Sequence, residues 1–216
     1  MKDFPIFTTE YGVASLVLKQ IPYNASAYIT LQDSLQPECL LRECCDFCKT
    51  VGAEHIYVSG HSCLENYQLH TKILLMRCLR EQLADTEAIL IPIQKRNLEQ
   101  FRKIYNDAMK PIANASHMSR IDAEQILVKE NGYFVYRKNE LIGIGVAEGN
   151  RINAIVSVVP GCGKDIILAL NRVLSGLYVE IEVASSNTRA VRLYDKLGFQ
   201  TVCELSKWYK IFDCVK

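Results

Sequence analysis

The chain has 216 residues, 49% of them apolar and 23% charged, the make-up of one large globular domain or of a domain with a smaller companion. Lys and Arg number 25 against 24 Asp and Glu, so no net field recommends nucleic acid or an anionic membrane as partner. The opening MKDFPIFTTEYG has no apolar core of signal-peptide length and no apolar run approaches the ~20 residues of a bilayer span, so the expected compartment is the cytoplasm.

From the N-terminus, YGVASLVLKQI and SAYITLQDS read as a hairpin across PYNA. PECLLRECCDFCKTVG is a helix ending on Gly52, EHIYVSG a strand, LENYQLH a helical turn or two, and KILLMRCL another strand. Nine cysteines, an odd number in a chain of this size with no export signal, exclude a disulfide framework. Cys45 and Cys48, with His55, His61 and Cys63 beyond them, raise zinc, and with it a third reading of the chain as a metal-dependent binding domain. Yet Leu40, Leu41, Cys44, Cys45 and Cys48 form one helical stripe, where cysteine acts as a small buried hydrophobe, so no metal is expected.

The polar stretch EQLADTEA (81–88) is the best boundary, dividing the chain into 1–85 and 86–216. Beyond it LIPIQ is a strand, and NLEQFRKIYNDAM a helix that Asn97 caps and Pro111 stops. IDAEQILVKE is a second helix. GYFVYRK, ELIGIGVAEG and INAIVSVVP form an antiparallel meander. KDIILALNRVLSG is a helix stopped by Gly176, YVEIEVAS a strand, NTRAVRLYDKLG a helix, and FQTVCELSKWYKIF a closing strand or hairpin. The order hairpin, helix, strand, short helix, strand occurs in both halves, a symmetry of pattern and not of letters.

The run Ile181-Glu182-Val183, Ser186-Asn187, Ala190, Leu193-Tyr194, Leu197-Gly198-Phe199 resembles the acetyl-CoA-binding core of GNAT-family N-acetyltransferases, closest to bacterial enzymes that acetylate protein N-terminal amines. The strand order from about residue 90 onward agrees with it; the N-terminal third matches in pattern only. The resemblance implies an α/β fold, a mixed and mostly antiparallel GNAT-like sheet flanked by helices, preceded by a truncated, non-catalytic GNAT-like half-domain over 1–85. It further implies transfer of acetyl from acetyl-CoA to a primary amine by direct attack, without metal, nucleic acid or membrane. The acceptor, a small molecule or a peptide, is left open, as is the oligomeric state, homodimer included.

By the resemblance, Tyr194 protonates the departing thiolate and Glu182 is the base for the incoming ammonium. A core tyrosine and a solvated or salt-bridged strand glutamate are the alternatives, with Glu148 as a fallback base. Asn187 caps its helix and offers an amide to the pantetheine arm, beside Ala190. Val158 or Val159 supplies the N–H that polarises the thioester carbonyl. The phosphate loop departs from the family: Gly161-Cys162-Gly163 falls early and the expected Arg or Gln is missing. Lys164 adds charge, while Asp165 suits a first helical turn but repels a diphosphate. Tyr133, Tyr136, Glu148 and Glu180 join Glu182 as the acceptor side, which suits a cationic amine. The altered loop motivates the competing reading, a catalytically degenerate CoA-binding sensor or interaction module.

Overall fold

The computed structural model describes residues 5–211. They form two compact units, one of residues up to Lys72 together with those from Leu205 onward, the other Ile73–Glu204. The division falls at 72/73 and 204/205 and not in the 81–88 stretch. Within that stretch Leu83 and Ala88 are buried, and the Arg172 guanidinium donates to Asp85 (3.1 Å) and to the Ala88 carbonyl (2.8 Å), which binds it to the second unit.

In the first unit β1 (Ile6–Thr9), β2 (Gly12–Val17) and β3 (Ser26–Ser34) are antiparallel neighbours, and a single helical turn, α1 (Ile21–Asn24), replaces the expected tight hairpin between the last two. Helix α2 (Pro37–Thr50) follows, with Pro at its first position. It buries Leu40, Leu41, Cys44, Cys45 and Cys48 against Ala27, Ile29, Ile56 and Val58. Burial pushes the Cys44 thiol up to about 12. Strand β4 (His55–Ser59) lies parallel to β3 over five residue pairs, from Ser26↔His55 to Thr30↔Ser59.

The expected helix at LENYQLH is only a 3-10 turn at Ser62–Asn66, because strand β5 (Gln68–Leu79) begins four residues before the sequence pattern places it. Residues 73–79 of β5 belong to the second unit. There β6 (Ile89–Pro92), β7 (Gly132–Arg137), β8 (Glu140–Glu148) and β9 (Arg151–Ser157) form an antiparallel meander. Strand β10 (Tyr178–Ala184) is parallel to β9 and antiparallel to β5.

Helices cover both faces of this meander. α3 (Leu98–Met109) and α4 (Arg120–Val128) pack through Phe101 and Ala123 onto Phe134, Ile144, Val146 and Val156. Asn97 does not cap α3; its side chain turns back to accept from the Gln94 N–H (2.7 Å). On the other face lie α5 (Gly163–Asn171) and α6 (Thr188–Lys196), over Val135, Ile142, Ile152, Val179, Ile181 and Val183. Ile166 and Leu170 of α5, one turn apart, sit against Gly143 and Gly145, where any Cβ would collide with their methyls. α5 ends five residues before Gly176, its carbonyls closed by short turns from Arg172 and Val173.

The final strand, β11 (Gln200–Ile211), is continuous and not a hairpin, and its residues 209–211 pair with β4 of the first unit. The chain thus exchanges strands. β5, which follows β4 in sequence, pairs with β10, and β11, which follows β10 and α6, pairs with β4.

Candidate active site

The site is built where a parallel pair of strands comes apart. β9 and β10 are in register only at Arg151↔Glu180 and Ile152↔Ile181. One residue later the β8–β9 register slips, so that Asn153 is extra in β9: Ile152 faces Ala147 and Ala154 faces Val146. A bulge bends its strand and increases local twist. From Asn153 onward β9 leaves β10, and Glu182, the next polar residue of β10, stands at the opening.

Two faces meet at that gap. Val179, Ile181 and Val183 point to the α5–α6 core, while alternation turns Glu180 and Glu182 to the opposite face. Val158 donates its N–H to the Ile142 carbonyl (3.0 Å), and Val159 makes a longer bond to the same oxygen (3.4 Å). This corrects the expectation for those two groups, since both amides are already engaged. The alternation that aims the Val158 amide at β8 aims the amides of Ile155 and Ser157 away from it, toward the gap.

Tyr194 comes to the α5–α6 face from the last turn of α6. Its ring is buried beside Phe199, with centroids 5.7 Å apart, and burial pushes its phenol up to about 12. The hydroxyl makes no hydrogen bond among the described residues, and it is not one of the sealed polar atoms left without a partner. Asn187 is the N-cap of α6: its Oδ1 accepts from the Ala190 N–H (3.2 Å), which leaves both amide hydrogens free for another acceptor.

At the head of α5, Gly161 takes a left-handed φ of 89° and faces open space, Cys162 is buried as the N-cap, and Lys164 is exposed. The first amides of the helix have no intrahelical acceptor. Asp165, in that first turn, is held by Arg137 from the end of β7 (2.7 Å) and by the Thr86 hydroxyl (3.2 Å); Arg137 also reaches the Cys162 sulfur (3.4 Å). A cation therefore does stand beside this loop. It comes from a strand 28 residues before Asp165, where the motif spacing gave no sign of it.

The acceptor-side residues are less uniform than the sequence implies. Tyr133 belongs to the α5–α6 face, its hydroxyl bonded to the Glu130 carbonyl (3.2 Å), whereas Tyr136 packs on the α3–α4 face, so the two tyrosines do not share a surface. Glu148 sits at the closed end of the strands, opposite Arg151 in register, and is held by Lys129 (3.0 Å) and Asn131 (3.1 Å). Glu180 is buried between two guanidiniums: Oε1 accepts from Arg77 Nε at 2.9 Å and from Arg77 Nη2, and Oε2 accepts from Arg151 Nε at 3.2 Å. The Arg77 hydrogen bond, aided by Arg151, holds its carboxyl below the usual glutamate range. Glu182 is half exposed and bonded through Oε1 to Arg151 Nη1 at 3.1 Å. The sequence reading missed both arginines, although Arg77 is a lone charge in the apolar run ILLMRCL and so marks a face turned away from the core.

No helix of the described residues is long and apolar enough to cross a membrane, and no group of three or more His, Cys, Asp or Glu among them is arranged to hold a metal ion. No protein-family model matches the sequence, and no curated protein matches it in sequence. Solved structures do match in fold. A functionally unknown conserved protein from Staphylococcus epidermidis aligns with TM-score 0.64 and 13% identity over 96% of this chain and 93% of its own. A GNAT-family acetyltransferase from Colwellia psychrerythraea aligns with TM-score 0.53 and 16% identity over 95% and 84%. A GCN5-related N-acetyltransferase from Anabaena variabilis aligns with TM-score 0.59 and 11% identity over 86% and 54%. The mixed sheet, its parting parallel strands and these likenesses together give the chain the fold of the GNAT-family N-acetyltransferases.

Proposed function

We propose that this chain is an acetyl-CoA-dependent N-acetyltransferase acting on a primary amine, with its site at the opening between β9 and β10. The observation that carries the reading is the bulge at Asn153, which frees one strand edge between the tyrosine-bearing face and the glutamate-bearing face. In the reaction the neutral amine nitrogen attacks the thioester carbonyl carbon, the C–S bond breaks, and an amide and free CoA result. Glu182, through water, accepts the ammonium proton before attack. The open-edge amides of β9, from Ile155 and Ser157, replace those of Val158 and Val159 as donors to the developing oxyanion. The Tyr194 phenol hydrogen-bonds the departing sulfur as charge builds there and relays to it the second proton, which the attacking nitrogen sheds, so that CoA leaves as the thiol and the phenol is restored. Asn187 and the Ala190 turn hold the pantetheine arm, and the Gly161–Lys164 loop with Arg137 meets the diphosphate.

The first unit serves as a non-catalytic companion, since its corresponding parallel pair, β3 and β4, stays in register throughout and offers no opening. One observation favours the second reading, a CoA-binding module without turnover: Asp165 puts its own carboxylate at the head of α5, where a diphosphate would sit. Calorimetry with acetyl-CoA in the presence of a chelator, followed by thiol release over an amine panel, separates the two. Saturable heat with release supports the enzyme, saturable heat without release the module, and no heat at millimolar CoA removes both.

A further inference from the structure

The face that carries Glu182 is electrically balanced before any substrate arrives. Arg77, Arg151, Glu180 and Glu182 project on the same side of β5, β9 and β10, and the pairings alternate in sign: Arg77 to Glu180, Glu180 to Arg151, Arg151 to Glu182. Glu180 is locked, buried between two guanidiniums. Arg151 and Glu182 are the mobile end of the chain, both about half exposed, 47% and 49%. Arg151 Nη2 and Arg77 Nη1 make no hydrogen bond among the described residues, and Arg77 lies with its carbon 5.2 Å from the Tyr178 ring centre.

A simple cationic amine fits this face poorly. Its ammonium would compete with Arg151 for the same carboxylate and would stand against a guanidinium that has just lost a partner. The face would then carry an uncompensated positive charge, and like charges at contact distance repel most where water is thinned out. An acceptor that brings a carboxylate on the carbon beside its amine makes an even exchange: the ammonium takes Glu182 and the carboxylate takes Arg151, whose fork suits a carboxylate's two oxygens. We infer that the acceptor is a free α-amino acid, recognised as a zwitterion, with Arg151 as the residue that selects for its carboxylate. This inference rests on the transfer reaction proposed above.

The test uses the whole chain, acetyl-CoA and matched acceptors: several α-amino acids, each beside its carboxamide and its decarboxylated amine. Thiol release gives kcat/KM for each. The expected result is a preference for the amino acid over both analogues of roughly 10- to 100-fold, the usual worth of one hydrogen bond to a charged group, expressed mainly in KM. Arg151→Gln should collapse that ratio toward one by raising KM for the amino acid, and Arg151→Lys should restore part of it. Equal or better use of the decarboxylated amines by the wild-type chain overturns the inference, whatever the variants do. Calorimetry with CoA in place of acetyl-CoA keeps the two claims apart. If an amino acid binds in an Arg151-dependent way and is never acetylated, the transfer reading fails and the ligand class stands. If amines transfer but no amino acid is preferred, the ligand class fails and the transfer reading stands.

Discussion

Replacing Tyr194 by Phe removes one oxygen from a ring that the core already holds, so stability and turnover should separate cleanly. The ring stays beside Phe199, inside the cluster formed with Ile181, Val183, Ile166 and Ile167. Since the hydroxyl bonds to nothing among the described residues, its loss strands no buried partner, and the change in stability should stay within about 0.5 kcal/mol. Cutting the ring away with Ala would by contrast cost about 3–5 kcal/mol. Turnover depends on the proton. A phenol pushed up to about 12 is fully protonated at neutral pH, but it is a weaker acid than an ordinary thiol at about 8.5, so complete transfer is uphill by roughly 5 kcal/mol. The phenol therefore works mainly by hydrogen-bonding the sulfur as charge builds there. That places the expected loss in the lower part of the general-acid range, about 10²- to 10³-fold in kcat, with acetyl-CoA affinity nearly unchanged. Single-turnover thiol release, calorimetry and a melting curve on one preparation measure all three quantities. Wild-type turnover in the Phe variant, or a melt lowered by many degrees with turnover intact, refutes the assignment and makes Tyr194 a packing residue.

Glu180→Gln should cost about 1–2 kcal/mol, less than a fully buried pair because Arg77 and Arg151 are 38% and 47% exposed. Its folded pKa is depressed, so its contribution is present above the ordinary glutamate value near 4.3 and is lost as pH falls through the lower folded value; acid melts of wild type and variant should converge there. A fragment beginning at residue 88 loses the β5 residues that pair with Tyr178–Ala184, and the bared edge of β10 should make it aggregate. Size-exclusion chromatography of that fragment decides the point, and a soluble monomer as stable as the whole chain counts against this account.

Local chemistry was legible in the sequence and register was not. Gly, Pro and alternation announce the meander and α2, and the Leu40–Cys48 stripe is buried as the helical period requires. The Asn187 cap and the inward face of Tyr194 are readable because both lie on one helix, where spacing fixes facing. Val158 and Glu180 read differently in the structure for another reason: their partners lie on a neighbouring strand. Whether an amide is free depends on the strand beside it, and Val158 is matched to Ile142. Whether a glutamate is available depends on Arg77, 103 positions away in the chain. The same limit hid the strand exchange, because β5 continues the grammar of the first half while its partner is β10.

On the proposed function, what separates the half of the chain with a site from the half without one is a single inserted residue. β3 and β4 are joined through α2 as β9 and β10 are through α5, and both pairs are parallel. In the first pair every step from Ser26↔His55 to Thr30↔Ser59 is kept, so each strand satisfies the other's backbone along that length. In the second, Asn153 takes a place with no counterpart on β8, and beyond Ile152↔Ile181 the amides of β9 that point away from β8 have no partner in register on β10. Unpaired edge amides are costly unless water or a ligand meets them, so a fold retains such a break where something is bound in it. Deleting Asn153 should therefore close the gap: the β9–β10 ladder lengthens, hydrogen exchange of the Ile155 and Ser157 amides slows, and acetyl-CoA binding is lost while the melt holds or rises. An Asn153 deletion that still binds acetyl-CoA with wild-type affinity would place the cofactor elsewhere on the chain.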